Sequence, residues 1–221
     1  IMGVDGKIIV KLLESDIEIT DKLLAGLASK ANERLAFTVR KSRLQIAQYI
    51  HELILGTPEM VELQGGVLQG EFGLTSGKAS AAVQDIAKRV SESVTIKAQR
   101  VVVDKTTGIK GGITILIQPV DFANVVASPQ SIVRTEKGKQ LDWLKWLLFK
   151  GDAVIIDSYE FRSKKGKGRS GLGTMSEASG GIWRVPPAYS GTEDNNFITK
   201  ALQSKKSVNR IAYILFKNMM K

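Results

Sequence analysis

The chain has 221 residues, of which 43% are hydrophobic and 24% charged, a composition that is ordinary for a globular protein with a buried core. Its formal charge is +10, and it contains no cysteine, which excludes disulfides, thiol catalysis and thiolate metal sites. No run of about 18 apolar residues occurs, so the sequence predicts no membrane span.

The positive charge lies almost entirely in the C-terminal part of the chain. Residues 162–221 hold 12 of the 32 basic residues and only three of the 22 acidic ones, which is a net charge of +9 out of +10. This asymmetry favours a polyanionic partner, a lumen around one, or an acidic protein surface. A role in solubility alone is the alternative interpretation.

The first part of the chain predicts a short strand at 7–10 and then a long helix. Apolar residues recur at three- and four-residue spacing between Leu24 and Ile54, which predicts a helix over about 20–55, or two helices with a bend near Lys41. Asp16 or Thr20 is the expected N-cap. A helix of about 50 Å is long for a compact domain and favours packing along a neighbouring molecule.

The middle of the chain alternates between helical and strand patterns. Four glycines within 57–74 predict a helical turn followed by a loop, and Thr75 or Ser76 is expected to begin a helix that ends near Ser93. Residues 94–104 and 111–120 predict an antiparallel hairpin. An irregular segment or short strand at 121–130 and an amphipathic helix over 138–150 follow.

The last third predicts a second hairpin and a final helix. A strand at 153–161 leads into a glycine-rich loop, a second strand is expected around 181–185, and Asn195 or Thr192 is the expected cap of the last helix. The fold class is therefore α+β, with a small antiparallel sheet of hairpins packed against long N-terminal and C-terminal helices, and with extended loops. We interpret 1–221 as one structural domain, with long helices at about 20–93 and a sheet-and-helix region at about 94–221.

A literal G-x-G-x-x-G at Gly166, Gly168 and Gly171 overlaps the basic loop at 162–169. In a dinucleotide-binding fold such glycines open a helix, but further glycines and serines follow here and no parallel sheet is predicted, so no cofactor is expected. The loop instead predicts contact with DNA phosphates or with an acidic partner, and a solvated hairpin tip is the alternative. The cations concerned are Arg162, Lys164, Lys165, Lys167 and Arg169.

Residues for catalysis or metal binding do not form a recognisable set. His51 is the only histidine, and the nearby carboxylates Glu52, Glu59 and Glu62 lack a metal-ligand spacing. No G-x-S-x-G nucleophile motif occurs. We therefore expect no catalytic residue, no metal site and no enzymatic activity.

A strand-to-helix corner follows the basic loop. Trp183, Pro186, Pro187 and Tyr189 precede a polar turn, and the proline pair fixes an extended bend. Trp143, Trp146 and Trp183 are expected to anchor a core or an interface.

Four segments of the chain resemble neck or tail-completion proteins of tailed bacteriophages. They are EFGLTSGKASAAV, LDWLKWLLFKGDAVII, RSGLGTM and WRVPPAYSGTEDNNFITKAL, and the resemblance spans about residues 65–203. It implies a non-enzymatic virion protein, made in the host cytoplasm, that forms a homo-oligomeric ring in the neck as a head–tail connector, tail-completion or tail-terminator protein.

Such a ring fastens portal-side proteins to the tail and surrounds the packaged DNA, without a membrane partner. On this basis we expect the long helix and the Trp183–Tyr189 corner to supply inter-subunit packing, and the basic loop to face the DNA channel or an acidic neighbouring ring. The competing hypothesis is a free, sequence-independent DNA-binding protein that uses the basic loop and the final helix. A hydrolase or nuclease is a third class, which activity with an added divalent metal would reveal.

Overall fold

The computed structural model describes residues 15–104, 106–118, 122–135, 138–164 and 168–220. The strand predicted at 7–10 lies outside the described residues. The eight helices and three strand pairs that these residues form confirm the α+β class and the long N-terminal helix.

The first helix, α1 (Asp16–Leu55), is continuous over 40 residues, or about 60 Å. It begins with a capping box in which the Ser15 hydroxyl accepts from the Glu18 backbone N–H, and the Glu18 carboxylate accepts from the Ser15 N–H. The predicted caps Asp16 and Thr20 were therefore wrong, by one and by five residues. The bend considered near Lys41 is also wrong, because one helix runs through it.

Two short helices, α2 (Pro58–Gly65) and α3 (Val67–Glu71), occupy the glycine-rich stretch that was predicted to be mostly loop. Gly66 separates the two helices. The Glu62 carboxylate folds over this position and accepts from the Val67 N–H at 2.7 Å, and a Cβ at Gly66 would lie 1.9 Å from that carboxylate. The next helix, α4 (Ser76–Glu92), begins after Thr75 and ends before Ser93, which confirms both of its predicted ends.

Three antiparallel pairs supply the strands: β1 (Thr95–Asp104) with β2 (Gly108–Leu116), β3 (Val133–Arg134) with β4 (Gln140–Leu141), and β5 (Ile156–Ser163) with β6 (Gly173–Trp183). The hairpin predicted around 105–108 is confirmed. The strand predicted around 181–185 was too short, because β6 begins eight residues earlier and pairs with the whole of β5.

The remaining helices are α5 (Ala123–Val126), α6 (Trp143–Phe149), α7 (Phe197–Gln203) and α8 (Lys205–Met219). The helix predicted at 138–150 is thus half as long, since β4 precedes it. The segment at 121–130 contains a helical turn rather than a strand. The final helix is two helices, because Ser204 leaves the helical conformation between them and caps the second one.

The cap of α7 is Asn196 rather than the predicted Asn195 or Thr192. Asn196 is completely buried, and its Oδ1 accepts from the backbone N–H groups of Ile198 and Thr199. Its Nδ2 donates to the carbonyls of Thr192 and Glu193. All the polar groups of this side chain are therefore paired within one tight corner.

The main core joins the C-terminal half of α1 to α4, α6, α7 and α8. Four aromatic rings form its centre: Phe72 lies 5.4 Å from Trp143 and 6.1 Å from Trp183, and Trp146 lies 5.7 Å from Trp183. Trp143 is fully buried and donates its indole N–H to the Gln130 carbonyl at 2.9 Å. Edge-to-face contacts of this kind stabilise a core beyond the burial of area.

A second, much smaller cluster holds the N-terminal half of α1 against the β1–β2 hairpin. It consists of Ala28, Leu35 and Val101, with Ala31, Ile113 and Met219 partly buried around them. A β-bulge shifts the pairing of β1 between Gln99 and Val102. The Asn32 side chain bonds both the N–H and the carbonyl of Val101 at 2.8 Å, so the backbone groups that the bulge frees are satisfied by α1.

Between the two clusters lies a buried polar layer. Asn218 of α8 donates to the Ser42 hydroxyl at 3.0 Å and to the Gln45 side chain at 2.8 Å. Thr38, one turn before Ser42, is also fully buried. Because a buried amide must be paired, this layer fixes the position of α8 along α1.

Candidate functional site

The basic loop predicted to contact DNA or an acidic partner joins β5 to β6, and two of its cations already have partners. The Arg162 guanidinium forms an ion pair with the Glu160 carboxylate, with Nε and Oε1 2.5 Å apart. Arg169 donates from Nε to the Gly73 carbonyl at 2.9 Å and from Nη1 to the Arg134 carbonyl. Arg169 therefore ties the loop to the body of the protein.

Of the other three cations of the loop, the structure describes only Lys164. Lys164 is exposed, adopts a left-handed conformation with φ 58°, and forms no ion pair with any residue that the structure describes. Lys165 and Lys167 lie outside the described residues. Within the described part, the segment that follows Gly171 is strand β6, so the helix that a dinucleotide-binding fold requires is not formed.

The predicted inter-subunit corner is divided between core and surface. Trp183 is only 4% exposed and donates its indole N–H to Glu71 at 3.0 Å. Pro186 and Tyr189 are half-buried, and Pro187 is exposed. The surface that this corner offers to a neighbouring molecule therefore consists of Pro187 and parts of Pro186 and Tyr189, because Trp183 is packed inside its own chain.

Glu71 is the one acidic residue held against the aromatic centre. Burial raises its pKa from about 4.5 to about 7, and the hydrogen bond from Trp183 only partly offsets this effect. The carboxyl is therefore protonated in the folded chain over a pH range in which it ionises in the unfolded chain.

The pH dependence of folding follows from this shift. Below about pH 4.5 both states are protonated and stability is fully present, and it falls as the pH rises from about 4.5 to about 7. Glu71→Gln keeps an oxygen acceptor for Trp183 and removes the ionisation. We expect this variant to be more stable than the wild type at pH 8 by about 1–2 kcal/mol, since part of the carboxyl is solvated, and equally stable at pH 4.5.

Urea unfolding at the two pH values measures this difference, with Glu193→Gln as the control, because Glu193 is exposed. If the free energy of unfolding changed equally between pH 4.5 and pH 8 in Glu71→Gln and in the wild type, the raised pKa of Glu71 would be contradicted.

The C-terminal helices carry a basic surface. From the sequence, the final helix was included only in the competing hypothesis of a free DNA-binding protein. Residues 197–220, which span α7 and α8, contain five Lys and Arg residues and no Asp or Glu. We call Lys206, Arg210, Tyr213 and Lys217 the basic stripe: their spacing of four, three and four residues places them on one face of α8. All four are exposed.

The basic stripe borders an open groove of about 350 Å³ between α8 and α1. Arg210, Tyr213 and Lys217 line one wall, and Gln45, Gln48, Tyr49 and Glu52 line the other. The Arg210 guanidinium lies 5.5 Å from the centre of the Tyr213 ring, which orients it along the helix. Glu52 is the only acidic residue of the groove, and it accepts from Gln48 at 3.2 Å.

A third surface is the arm, by which we mean α1 from Asp16 to Phe37 together with β1 and β2. Its large exposed apolar side chains are Ile17, Leu23, Leu27, Phe37, Val102, Val103, Ile109 and Leu116. Leu23 is 63% and Leu27 59% exposed, one turn apart on α1, and their helix face is turned by about 110° from that of Ala28 and Leu35. These exposed apolar side chains make the arm a candidate interaction surface.

Two further observations concern metal ligands and membrane spans in the described part of the chain. No group of three or more His, Asp or Glu residues that could hold a metal ion occurs there. His51 is half-buried on α1. Among the same residues, no helix has both the length and the apolar character needed to cross a bilayer.

Comparison with known proteins gives no relative. No family model, no curated protein and no solved structure matches the chain.

Proposed function

We propose that this chain is a structural subunit of a homo-oligomeric ring in the neck of a tailed bacteriophage. The ring would join the portal side of the head to the tail and would surround the packaged DNA. Four sequence segments that resemble neck and tail-completion proteins motivate the proposal. The arm and the basic stripe supply two surfaces that such a subunit requires, one for protein and one for a polyanion.

The arm is the observation that carries the proposal. Its own apolar cluster is small and consists of the buried residues Ala28, Leu35 and Val101, yet the arm presents eight large apolar side chains to solvent. An element of this kind gains stability when a neighbouring molecule covers it. A ring uses heterologous contacts, so the arm of one subunit would pack on a different face of the next.

Cryo-electron microscopy of virions that carry the chain tests the proposal directly. We expect the subunit in a closed ring at the head–tail junction, with the arm in the contact between neighbours. Virions that lack the chain, or that carry it as a monomer with a solvated arm, would contradict the proposal.

A pair of matched double variants tests the role of the arm. Leu23→Gln with Leu27→Gln should reduce incorporation into virions at least tenfold, because these side chains lose the apolar area that a neighbour would cover. The thermal midpoint of the isolated chain should change little, since both residues are exposed. The control is Val61→Gln with Val67→Gln, which changes exposed apolar residues of α2 and α3 and should incorporate normally. Equal incorporation of the two variants would remove the arm from the interface.

A free DNA-binding protein is the second candidate, and the uniformly basic α7 and α8 favour it. The two candidates differ in the strength of binding by the isolated chain. A free binder should bind duplex DNA tightly, with affinity that falls steeply as salt rises, whereas an unassembled neck subunit should bind weakly. A dissociation constant measured against salt concentration separates them.

A further inference from the structure

The charge pattern of α8 costs the helix stability when nothing is bound to it. Lys205 and Lys206 occupy its first turn, where the helix dipole disfavours cations. Lys206 and Arg210 are four residues apart and repel each other. No acidic residue within α7 or α8 offsets these costs. A solvated helix face usually mixes both signs, so this pattern indicates an external anion.

The groove adds a second, independent observation. Its α1 wall presents the neutral side chains Gln45, Gln48 and Tyr49 opposite Arg210 and Lys217. The Tyr49 hydroxyl already donates to Ser207 at 3.3 Å. Amide groups such as those of Gln45 and Gln48 are common donors to phosphate oxygens, and the Arg210 guanidinium is already held beside the Tyr213 ring. The surface therefore combines cations with neutral donors along one line.

The dimensions of the stripe fit a nucleic-acid backbone. From Lys206 to Lys217 the helix rises by about 16 Å, whereas the backbone of one DNA strand carries a phosphate for every 3.4 Å or so of helix axis. Three cations spread over this length can each neutralise a different phosphate without reading bases. By contrast, Arg162 and Arg169 of the β5–β6 loop are already bound to Glu160 and to backbone carbonyls.

We propose that the basic stripe of α8 and the adjoining α1 groove form the surface of this protein that binds the duplex DNA backbone, rather than Arg162 and Arg169 of the β5–β6 loop. Lys206, Arg210 and Lys217 neutralise phosphates, and Gln45 and Gln48 donate to phosphate oxygens. Glu52 opposes binding at the edge of the groove. The identification of the polyanion as DNA rests on the proposed function, because an acidic protein surface would present a similar charge.

Fluorescence anisotropy with a labelled 30-base-pair duplex tests this assignment on the full chain between 50 and 200 mM salt. We expect Lys206→Gln, Arg210→Gln and Lys217→Gln together to reduce the affinity at 50 mM salt at least tenfold. The slope of log affinity against log salt should fall by about 2–3, since each phosphate contact contributes about 0.9. Glu52→Gln should bind more tightly than the wild type, by about two- to fourfold, because a charge that repels phosphate is removed.

Removal of two charges from the loop supplies the control. Arg162→Gln with Lys164→Gln should bind within about twofold of the wild type. A loop variant that loses as much affinity as the α8 variant would overturn the proposal. So would an absence of duplex binding at 50 mM salt, or equal binding of poly-glutamate, which would indicate an acidic protein partner. Circular dichroism of each variant confirms that the exposed substitutions leave the fold intact.

The outcomes for the stripe and for the ring are separable. The effect of the α8 substitutions on the slope of log DNA affinity against log salt tests the basic stripe. Virion incorporation and ring formation test the neck function. A free DNA-binding protein would pass the first test with tight binding and fail the second, and a neck subunit that contacts DNA elsewhere would show the reverse.

Discussion

Trp183→Ala is expected to lower the free energy of unfolding of the isolated chain by about 3–5 kcal/mol. The side chain is 4% exposed and packs edge-on against Phe72 and Trp146, so the substitution leaves a cavity at the centre of the core. It also removes the donor to Glu71, whose carboxyl then remains beside the aromatic rings without that hydrogen bond. Urea unfolding followed by circular dichroism measures the loss.

The neighbouring residue offers a matched control. Ile182 precedes Trp183 on β6 and is 56% exposed, so Ile182→Ala should change stability by less than about 0.5 kcal/mol. A small effect of Trp183→Ala, comparable to that of Ile182→Ala, would show that Trp183 contributes little to its own chain. It would then support the original expectation that this residue anchors a neighbouring subunit.

Asn196→Ala should cost about 2–4 kcal/mol, more than an ordinary helix cap. The variant removes both acceptor contacts to the first turn of α7 and both donor contacts to the carbonyls of Thr192 and Glu193. Because the site is completely buried, water cannot easily replace these partners.

Asn195→Ala, at the exposed neighbouring position, is the control and should be nearly neutral. Asn196→Asp gives a second check, because it keeps the acceptor oxygen and places another oxygen against two carbonyls. We expect it to be destabilised to a similar degree at neutral pH. Full stability of Asn196→Asp would mean that the donor contacts of Asn196 are unimportant, and thermal unfolding decides between these results.

Periodic patterns predicted the large elements because burial dictates them. The apolar spacing of α1 and α4 and the β-branched strands β1 and β2 each report which face is covered. The cap of α1 was also present in the sequence as S-x-x-E at Ser15 and Glu18, a signal that was overlooked.

Other elements depend on contacts that lie far apart in the chain. Strand β6 contains glycine, serine and alanine, which have low strand propensity, and it forms because β5 offers a complete set of pairing partners. Likewise, α1 continues through Ser42 because Asn218, 176 residues away, satisfies its hydroxyl. No local pattern reports such partners.

The candidate surfaces show the same limit. Five cations within 162–169 indicated a binding loop, but the structure commits Arg169 to two backbone carbonyls and Arg162 to Glu160. Charge counting locates basic residues but does not show which of them already have partners. The spacing of the basic stripe is visible in the sequence of α8, but the groove beside it depends on the packing of α8 against α1, which no local pattern reports.

The polar layer around Asn218 has a geometric consequence for any assembly. A shift of α8 by one turn along α1 would leave the buried Asn218 amide without its two acceptors, so only one alignment of the two helices is stable. The cations of α8 therefore stand at a constant offset from the exposed leucines of α1. In a closed ring, the contact made by those leucines would then set the distance of the cations from the central axis. In such a ring, the inner radius and the distance of the cations from the axis would not vary independently, because Asn218 fixes the offset between α8 and α1.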